Sequence, residues 1–286
     1  MTRACELPAG LTATSRTDTE VEDRYRLHRR FDRMGRLVGD EAMERLFASH
    51  VMVIGLGGVG SFAAEALARS GVGRLTLVDF DKVCVTNSNR QLQAMKGTIG
   101  KYKATVLAER LALVNPQARV DPLTMFYNRN TFEDILALAP DWIVDAIDNI
   151  TAKCHLLVTC RERGLKVVTS TGASGRMDPT AIGVADLAKT HVDPMAAAVR
   201  KILRQNHGLP RKGELGIPAV YSTEPIREPL ELHYDDGQGF RCVCPGGKND
   251  LHSCEDRNVI YGTASFVTGT FGLTCASVVV RAIAGP

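Results

Sequence analysis

The sequence predicts an α/β chain on a doubly wound, mainly parallel sheet, with helices on both faces and an irregular C-terminal excursion. Three observations carry this reading. Short apolar runs rich in β-branched residues recur through the first part of the chain, each followed by a stretch of helical period. Strand, helix, strand, helix at this spacing is the mark of crossover units, which lay strands parallel and cover both faces of the sheet. Composition agrees, because 44% hydrophobic and 23% charged residues are ordinary globular values that exclude a disordered or fibrous chain.

Taken in order, residues 1–24 are polar, rich in Thr and charge, and without period, which predicts a disordered tail ahead of one domain over 25–286. Tyr25 to Phe47 is basic and helical. Val51 to Ile54 is short, mostly β-branched and followed at once by glycines, as a buried parallel strand is. Val59 to Ser70 reads as a helix stopped by Gly71 to Gly73, and Arg74 to Asp79 as the second strand. Lys101 to Val114 is the next helix, closed by Asn115-Pro116. A strand around Val120 to Met125 follows, then a helix opening at Thr131 with Glu133 and Asp134 in its first turn. Trp142 to Ile147, a helix over 151–163 and Lys166 to Thr169 complete the regular alternation.

The second half is less regular. Ala181 to Ala188 and Ala219 to Thr223 read as strands, Asp193 to His207 as a helix, and Pro225 to Asn258 as a long excursion rich in Gly, Pro and charge. From Asn258 to Val280 no residue carries a formal charge, over a length that could cross a bilayer. Thr263, Thr268, Thr270, Thr274 and the interspersed glycines make poor hydrocarbon-facing surface, so the expectation is a closely packed buried helix and no membrane span.

Net charge is +3, from 35 Lys+Arg against 32 Asp+Glu, which excludes a histone-like or polybasic membrane protein but leaves room for a local basic patch. Arg200, Lys201, Arg204, Arg211 and Lys212, with His207 among them, form such a patch, read either as a solvated helix face or as a contact for RNA phosphates. Eight cysteines without an apolar leader suit a cytoplasmic chain with reduced thiols or metal ligands. Cys242, Cys244, His252 and Cys254 offer three thiolates and an imidazole to zinc, although not at the paired Cys-x-x-Cys spacing. Cys84, Cys154, Cys160 and Cys275 fall on regular elements and are expected in the core.

Chemistry gathers at the strand ends. Gly55, Gly57, Gly58 and Gly60 lie between a strand and a helix, where backbone N–H groups can approach a phosphate, and Asp79 ends the next strand within reach of ribose hydroxyls. That much is a Rossmann-like nucleotide site and would suit NAD. The following Asp81, Asn87, Asn89, Arg90 and Lys103 point further, since fixed cations become useful when a triphosphate must present its α-phosphorus to a nucleophile. Asp148, after the fourth strand, adds a carboxylate suited to Mg²⁺ against those phosphates.

Gly55-x-Gly57-Gly58-x-Gly60-Ser61, Val78-Asp79-x-Asp81, Asn87-x-x-Arg90-Gln91, Lys103-Ala104 and Asp145 to Asn149 together resemble the ubiquitin-activating-enzyme-like (ThiF/MoeB-like) adenylating superfamily. Arg36 to Gly39, Glu65 to Arg69, Asp186 to Thr190 and Tyr221 to Glu224 resemble its tRNA threonylcarbamoyladenosine dehydratases in particular. The resemblance spans roughly Arg30 to Arg281. It implies ATP, Mg²⁺ and acyl-adenylate chemistry that cyclises the threonylcarbamoyl group on tRNA, with Asp79 at the ribose, Asp81 among the nucleotide-binding residues, Arg90 and Lys103 at the phosphates and Asp148 at the metal. It also implies a homodimer in which Arg33 or Arg36 reaches the neighbouring subunit's site, and a sulfur-relay or cysteine desulfurase protein as a further partner. The alternative is adenylation of a ubiquitin-like or sulfur-carrier C-terminus. That class often uses a transfer cysteine in the crossover region, and Arg161 to Arg241 contains none.

Overall fold

The structure, a computed structural model, describes residues 29–232 and 260–285. Its strands are β1 (His50–Ile54), β2 (Arg74–Val78), β3 (Arg119–Leu123), β4 (Trp142–Asp145), β5 (Lys166–Ser170), β6 (Ile182–Asp186) and β7 (Pro218–Ser222). The helices are α1 (Asp32–Val38), α2 (Asp40–Ala48), α3 (Gly60–Arg69), α4 (Lys103–Val114), α5 (Phe132–Leu136), α6 (Ile150–Arg163), α7 (Pro194–Asn206) and α8 (Ser265–Ala284). One sheet runs β3-β2-β1-β4-β5-β7-β6, parallel throughout except where β6 lies antiparallel on β7. The expected mainly parallel α/β architecture is therefore present.

Burial on both faces explains why β1 reads as an unbroken apolar run. Val51 and Val53 join the layer formed with α3, α4 and α8, while Met52 and Ile54 join the opposite layer with α6 and α7. Pro122 sits in β3, at the sheet edge, where its missing N–H costs no second ladder bond.

Some boundaries differ from the sequence expectation. The basic segment before β1 is two helices, parted at Gly39, whose φ of 81° no helical residue adopts. β4 stops at Asp145, because the chain there turns into a loop held by the Asp145 side chain. β6 stops at Asp186 for a similar reason. Its carboxylate accepts from the N–H groups of Ala188 (2.8 Å), Leu215 (2.9 Å) and Gly216 (2.7 Å), which opens a 3-10 turn over Leu187–Lys189.

α8 is the one helix among the described residues long and apolar enough to cross a membrane, and half of that stretch is buried within the protein. Val267, Phe271, Cys275 and Val279 form its core stripe at helical spacing. A Cβ on Gly272 would stand 2.3 Å from the Val59 carbonyl oxygen, so α8 and α3 meet backbone to backbone. The partly exposed Thr270 satisfies its hydroxyl on Phe266 O (2.7 Å), and the buried Thr268 on Ala264 O (3.3 Å).

The four core cysteines are where the sequence predicts them. Cys84, Cys154, Cys160 and Cys275 are buried free thiols, and burial pushes Cys154 to about 11 and Cys275 to about 12. Residues 1–24 and the set Cys242, Cys244, His252 and Cys254 lie outside the described residues, as does most of the Pro225 to Asn258 excursion.

Candidate active site

Between β1 and β4 the strand order reverses, and in open α/β sheets the crevice that takes ligands lies at such a point, outside the carboxyl ends of the strands. The glycine turn leaves β1 at this point. Gly55 has φ 88°, and a Cβ there would lie 2.6 Å from Ala146 O in the loop after β4. A Cβ on Gly60 would collide with Gly55 O at 1.8 Å, and one on Gly58 would press on Thr268 of α8 at 2.9 Å. Gly57 differs from these three. The nearest atom to its missing side chain is Gln91 Nε2 at 3.9 Å, so the turn has room on that side for a ligand to approach its backbone.

Asp79 organises the turn. Its Oδ2 accepts from Leu56 N–H at 2.7 Å and its Oδ1 from Asp81 N–H at 2.8 Å. Burial raises the Asp79 pKa, against the opposing pull of Lys103. Each carboxylate oxygen keeps a second lone pair, so ribose hydroxyls can still be accepted. Lys103, the first residue of α4, places Nζ 2.8 Å from Asp81 Oδ2 with only 8% of its side chain exposed. Burial by itself would discharge it, but Asp79 and Asp81, with Asp148, outweigh that and hold its pKa above the ordinary value. Lys103 is thus a fixed cation among carboxylates.

Arg90 is half-buried and donates through Nη1 to Thr86 O (2.8 Å) and Asn89 Oδ1 (3.0 Å). Asn89 in turn donates to Thr263 O at 2.9 Å, tying this segment to the chain just ahead of α8. The Asn87 side chain is buried, and its Oδ1 accepts from Cys84 N–H at 3.1 Å, so it shapes its own turn. Asp148 is exposed on the loop after β4. No group of three or more His, Cys, Asp or Glu among the described residues could by itself enclose a metal. Magnesium ordinarily takes one or two carboxylates and completes its shell with phosphate oxygens and water, so Asp148 at a phosphate-binding edge fits that ion.

Arg33 and Arg36 are not brought to this crevice within the chain. α2 runs directly into the start of β1, which keeps α1 at the opposite edge of the sheet; there Arg30 donates to Val114 O (3.1 Å) and Arg36 pairs with Asp32 (3.1 Å).

The model of the ThiF family matches residues 31–286, nearly the whole described chain. The chain belongs to the ThiF family. Within this family it is 39% identical to a tRNA threonylcarbamoyladenosine dehydratase of Haemophilus influenzae, over 95% of this chain and 97% of that one. It is 44% identical to the Bacillus subtilis protein of that name, over 77% and 86% of the two chains. The solved structure of the Escherichia coli tRNA N6-threonylcarbamoyladenosine dehydratase in complex with ATP superposes with a TM-score of 0.77 at 37% identity, covering 90% of this chain and 94% of that one.

Several residues around this ThiF-family crevice escaped the sequence reading. Gln93, fully buried, donates through Nε2 to Leu56 O at 2.6 Å and so holds the glycine turn from the side opposite Asp79. Lys153 is 1% exposed. Its Nζ meets Asp145 Oδ2 (2.6 Å), Thr169 Oγ1 (3.1 Å) and Ser170 O (2.9 Å). Since Asp145 Oδ1 also accepts from Ile147 N–H (3.1 Å), this buried pair fixes the root of the loop that carries Asp148. A signal existed: Lys153 lies on the same helical stripe as Leu156, Leu157 and Cys160, where a solvated lysine has no place. Arg176 and Asp193, both fully buried and 2.8 Å apart, brace the start of α7 in the same manner.

The basic patch is only partly as expected. Lys201, Arg204 and Arg211 line one shallow depression of about 400 Å³ with Gln205. Arg200 turns inward instead, toward Thr190 Oγ1 and Leu187 O, because its place on α7 faces the 3-10 turn after β6.

Proposed function

We propose that this chain catalyses ATP-dependent cyclisation of the threonylcarbamoyl group of N6-threonylcarbamoyladenosine in tRNA, with loss of water. The observation that carries the reading is the likeness to dehydratases over nearly the full length of both chains, second half included. The geometry supports it with a glycine turn, a fixed cation and strand-end carboxylates at one crevice.

The substrate carboxylate is a poor electrophile because oxide would have to leave. Its oxygen attacks the α-phosphorus of ATP, pyrophosphate departs, and an acyl-adenylate results. The ureido part of the same side chain then attacks the acyl carbon. AMP leaves with the former carboxylate oxygen, one proton is released, and the ring closes. Because both groups belong to one side chain, a high effective molarity replaces an enzyme nucleophile.

In this mechanism the N–H groups about Gly57 hold phosphate oxygens and Asp79 accepts from the ribose, with Asp81 setting Lys103. Asn87 and Asn89 shape the segment that presents Arg90. Lys103 and Arg90 neutralise charge that develops on the triphosphate. Asp148 would hold Mg²⁺, which supplies Lewis-acid stabilisation of the phosphates when bound. A homodimer would bring Arg33 or Arg36 of one subunit to the other's crevice. Lys201, Arg204 and Arg211 suit capture of tRNA phosphates. The thiolates and imidazole of Cys242, Cys244, Cys254 and His252 suit zinc by donor type, which elemental analysis of the purified protein checks. A cytoplasmic location and a sulfur-relay or cysteine desulfurase partner belong to the same reading, and affinity capture from a lysate tests the latter.

Mass spectrometry of nucleosides from modified tRNA, incubated with protein and ATP, tests the proposal. The expected product lacks one water, and AMP and pyrophosphate accumulate in step. Adenylation of a carrier-protein C-terminus with the tRNA left unchanged would establish the alternative.

A further inference from the structure

We propose that the cavity between α6 and α7 is a phosphate subsite, which holds a backbone phosphodiester of the tRNA beside the reacting nucleotide. The proposal rests on the tRNA reading above and names residues that reading does not use. The cavity, of about 240 Å³, is lined by Arg129, Thr151, His155, Asn206 and His207 with Cys154 and Ile202, and among the described residues no carboxylate is in its wall. One guanidinium, two imidazoles, a hydroxyl and an amide make a donor-rich wall for an anion.

The His155 ring is held in place. Its Nδ1 lies 3.1 Å from the Tyr127 hydroxyl, and Phe132 packs edge-on at 4.9 Å between ring centres. Burial raises the Tyr127 pKa, so the phenol keeps its proton. In the tautomer where that phenol donates to Nδ1, the neutral imidazole carries its own proton on Nε2, a donor in either charge state. Burial first, then Arg129 and His207, depress the His155 pKa; Arg163 adds to this and Glu162 opposes it. Like charges are therefore crowded here, and a phosphodiester would relieve them.

Position decides the occupant. Thr151 stands in the first turn of α6, whose N-terminal end favours anions, and that helix begins directly after the Asp148 loop. On α7, Ile202 and Asn206 border this cavity, while Lys201 and Gln205, each one residue earlier, border the basic depression. Arg204 Nε is buried there with no hydrogen-bond partner. The two hollows thus adjoin along one helix. They form a cationic track from Arg211 to the loop of the reaction site, as a polynucleotide backbone requires and a single free anion does not.

The test is fluorescence anisotropy of a labelled tRNA carrying threonylcarbamoyladenosine across a salt series, for wild type, Arg129→Ala and His155→Gln. Arg129→Ala should weaken binding roughly tenfold, as for a lost hydrogen bond to a charged group. It should also reduce the slope of log affinity on log salt by about 0.7 to 0.9, one phosphate's worth. His155→Gln, which keeps a donor near Nε2, should lose less affinity than Arg129→Ala. Unchanged ATP affinity by calorimetry certifies that each variant is folded. Wild-type slope and affinity in both variants, with ring closure by wild type intact, would overturn the subsite and leave the dehydratase reading standing. Absence of tRNA binding by wild type would sink both. Calorimetric binding of inorganic phosphate that Arg129→Ala abolishes, with the RNA slope unchanged, would assign the cavity to a free anion and also overturn the proposal.

Discussion

Lys103 stays charged although it is almost fully buried, because the carboxylates of Asp79, Asp81 and Asp148 more than offset its lost hydration. Removing it takes away the proposed phosphate contact and also leaves Asp79 and Asp81 facing each other without a cation. Lys103→Ala and Arg90→Ala should each lower kcat of ATP–pyrophosphate exchange by about 10² or more, as for lost electrostatic stabilisation. Only the lysine variant should also lose thermal stability, since Arg90 is half-exposed and bonds locally. Asp148→Asn should raise the Mg²⁺ concentration for half-maximal turnover while nucleotide affinity without metal stays near wild type; equal Mg²⁺ dependence in both proteins would remove Asp148 from the metal. At this scale the sequence showed the residues that carry motifs. It hid Gln93 and Lys153, whose importance lies in partners far along the chain, Leu56 and Ser170, that spacing does not reveal.

Among the elements, α8 decides the most. A glycine-to-alanine change inside a helix normally gains about 1 kcal/mol of propensity. At Gly272 the added methyl would lie 2.3 Å from Val59 O and 2.9 Å from Ala63 N, backbone atoms that cannot swing aside. Gly272→Ala should therefore cost about 1–3 kcal/mol net, as overpacking does, in a denaturant titration. Gly269→Ala meets only the Phe62 ring at 3.3 Å, and should cost clearly less. The sequence foretold β1, β2 and α3 well, since their apolar period and glycine stops are local signals. It merged α1 with α2, because the left-handed bend at Gly39 leaves both helical periods intact. It overran β4 and β6, because Asp145 ends its strand by accepting from Ile147 N–H just ahead, and Asp186 by accepting from the distant Leu215 N–H.

For the molecule as a whole, protonation should act almost in one direction. Burial, and next Arg74, holds His50 below its ordinary 6.5, and His155 is likewise depressed by burial. A base with a depressed folded pKa stabilises the fold fully above its unfolded value and loses that contribution as pH falls through the folded one. Glu65, Asp121 and Asp186 are also depressed, by ion pairs or backbone N–H groups that outweigh burial, so they too favour the fold above their ordinary 3.8–4.5. Among the described groups that titrate below neutral pH, Asp79, raised by burial, is the opposing one. The Tm should fall as pH drops below about 6.5 and again below the carboxylate range. His50→Gln, which keeps an amide near Thr76 Oγ1, should flatten the first step. The proposed dimer gives a separate check. At a Mg²⁺ concentration too low for Asp148→Asn to turn over, mixing its subunits with Arg33→Ala/Arg36→Ala subunits should restore part of the turnover, through dimers with one intact composite site. No recovery after verified subunit exchange would place those arginines outside catalysis. One contact has a bearing on synthesis itself. Gly58, in the turn that leaves β1, is roofed by Thr268 of α8, and Gly272 of the same helix seats on Val59. A ribosome delivers that turn well before its roof, so the nascent chain holds an unfinished nucleotide cradle until α8 emerges. Polypeptides cut short before α8 should thus be unable to retain ATP, and nucleotide occupancy becomes a mark of a chain translated through α8.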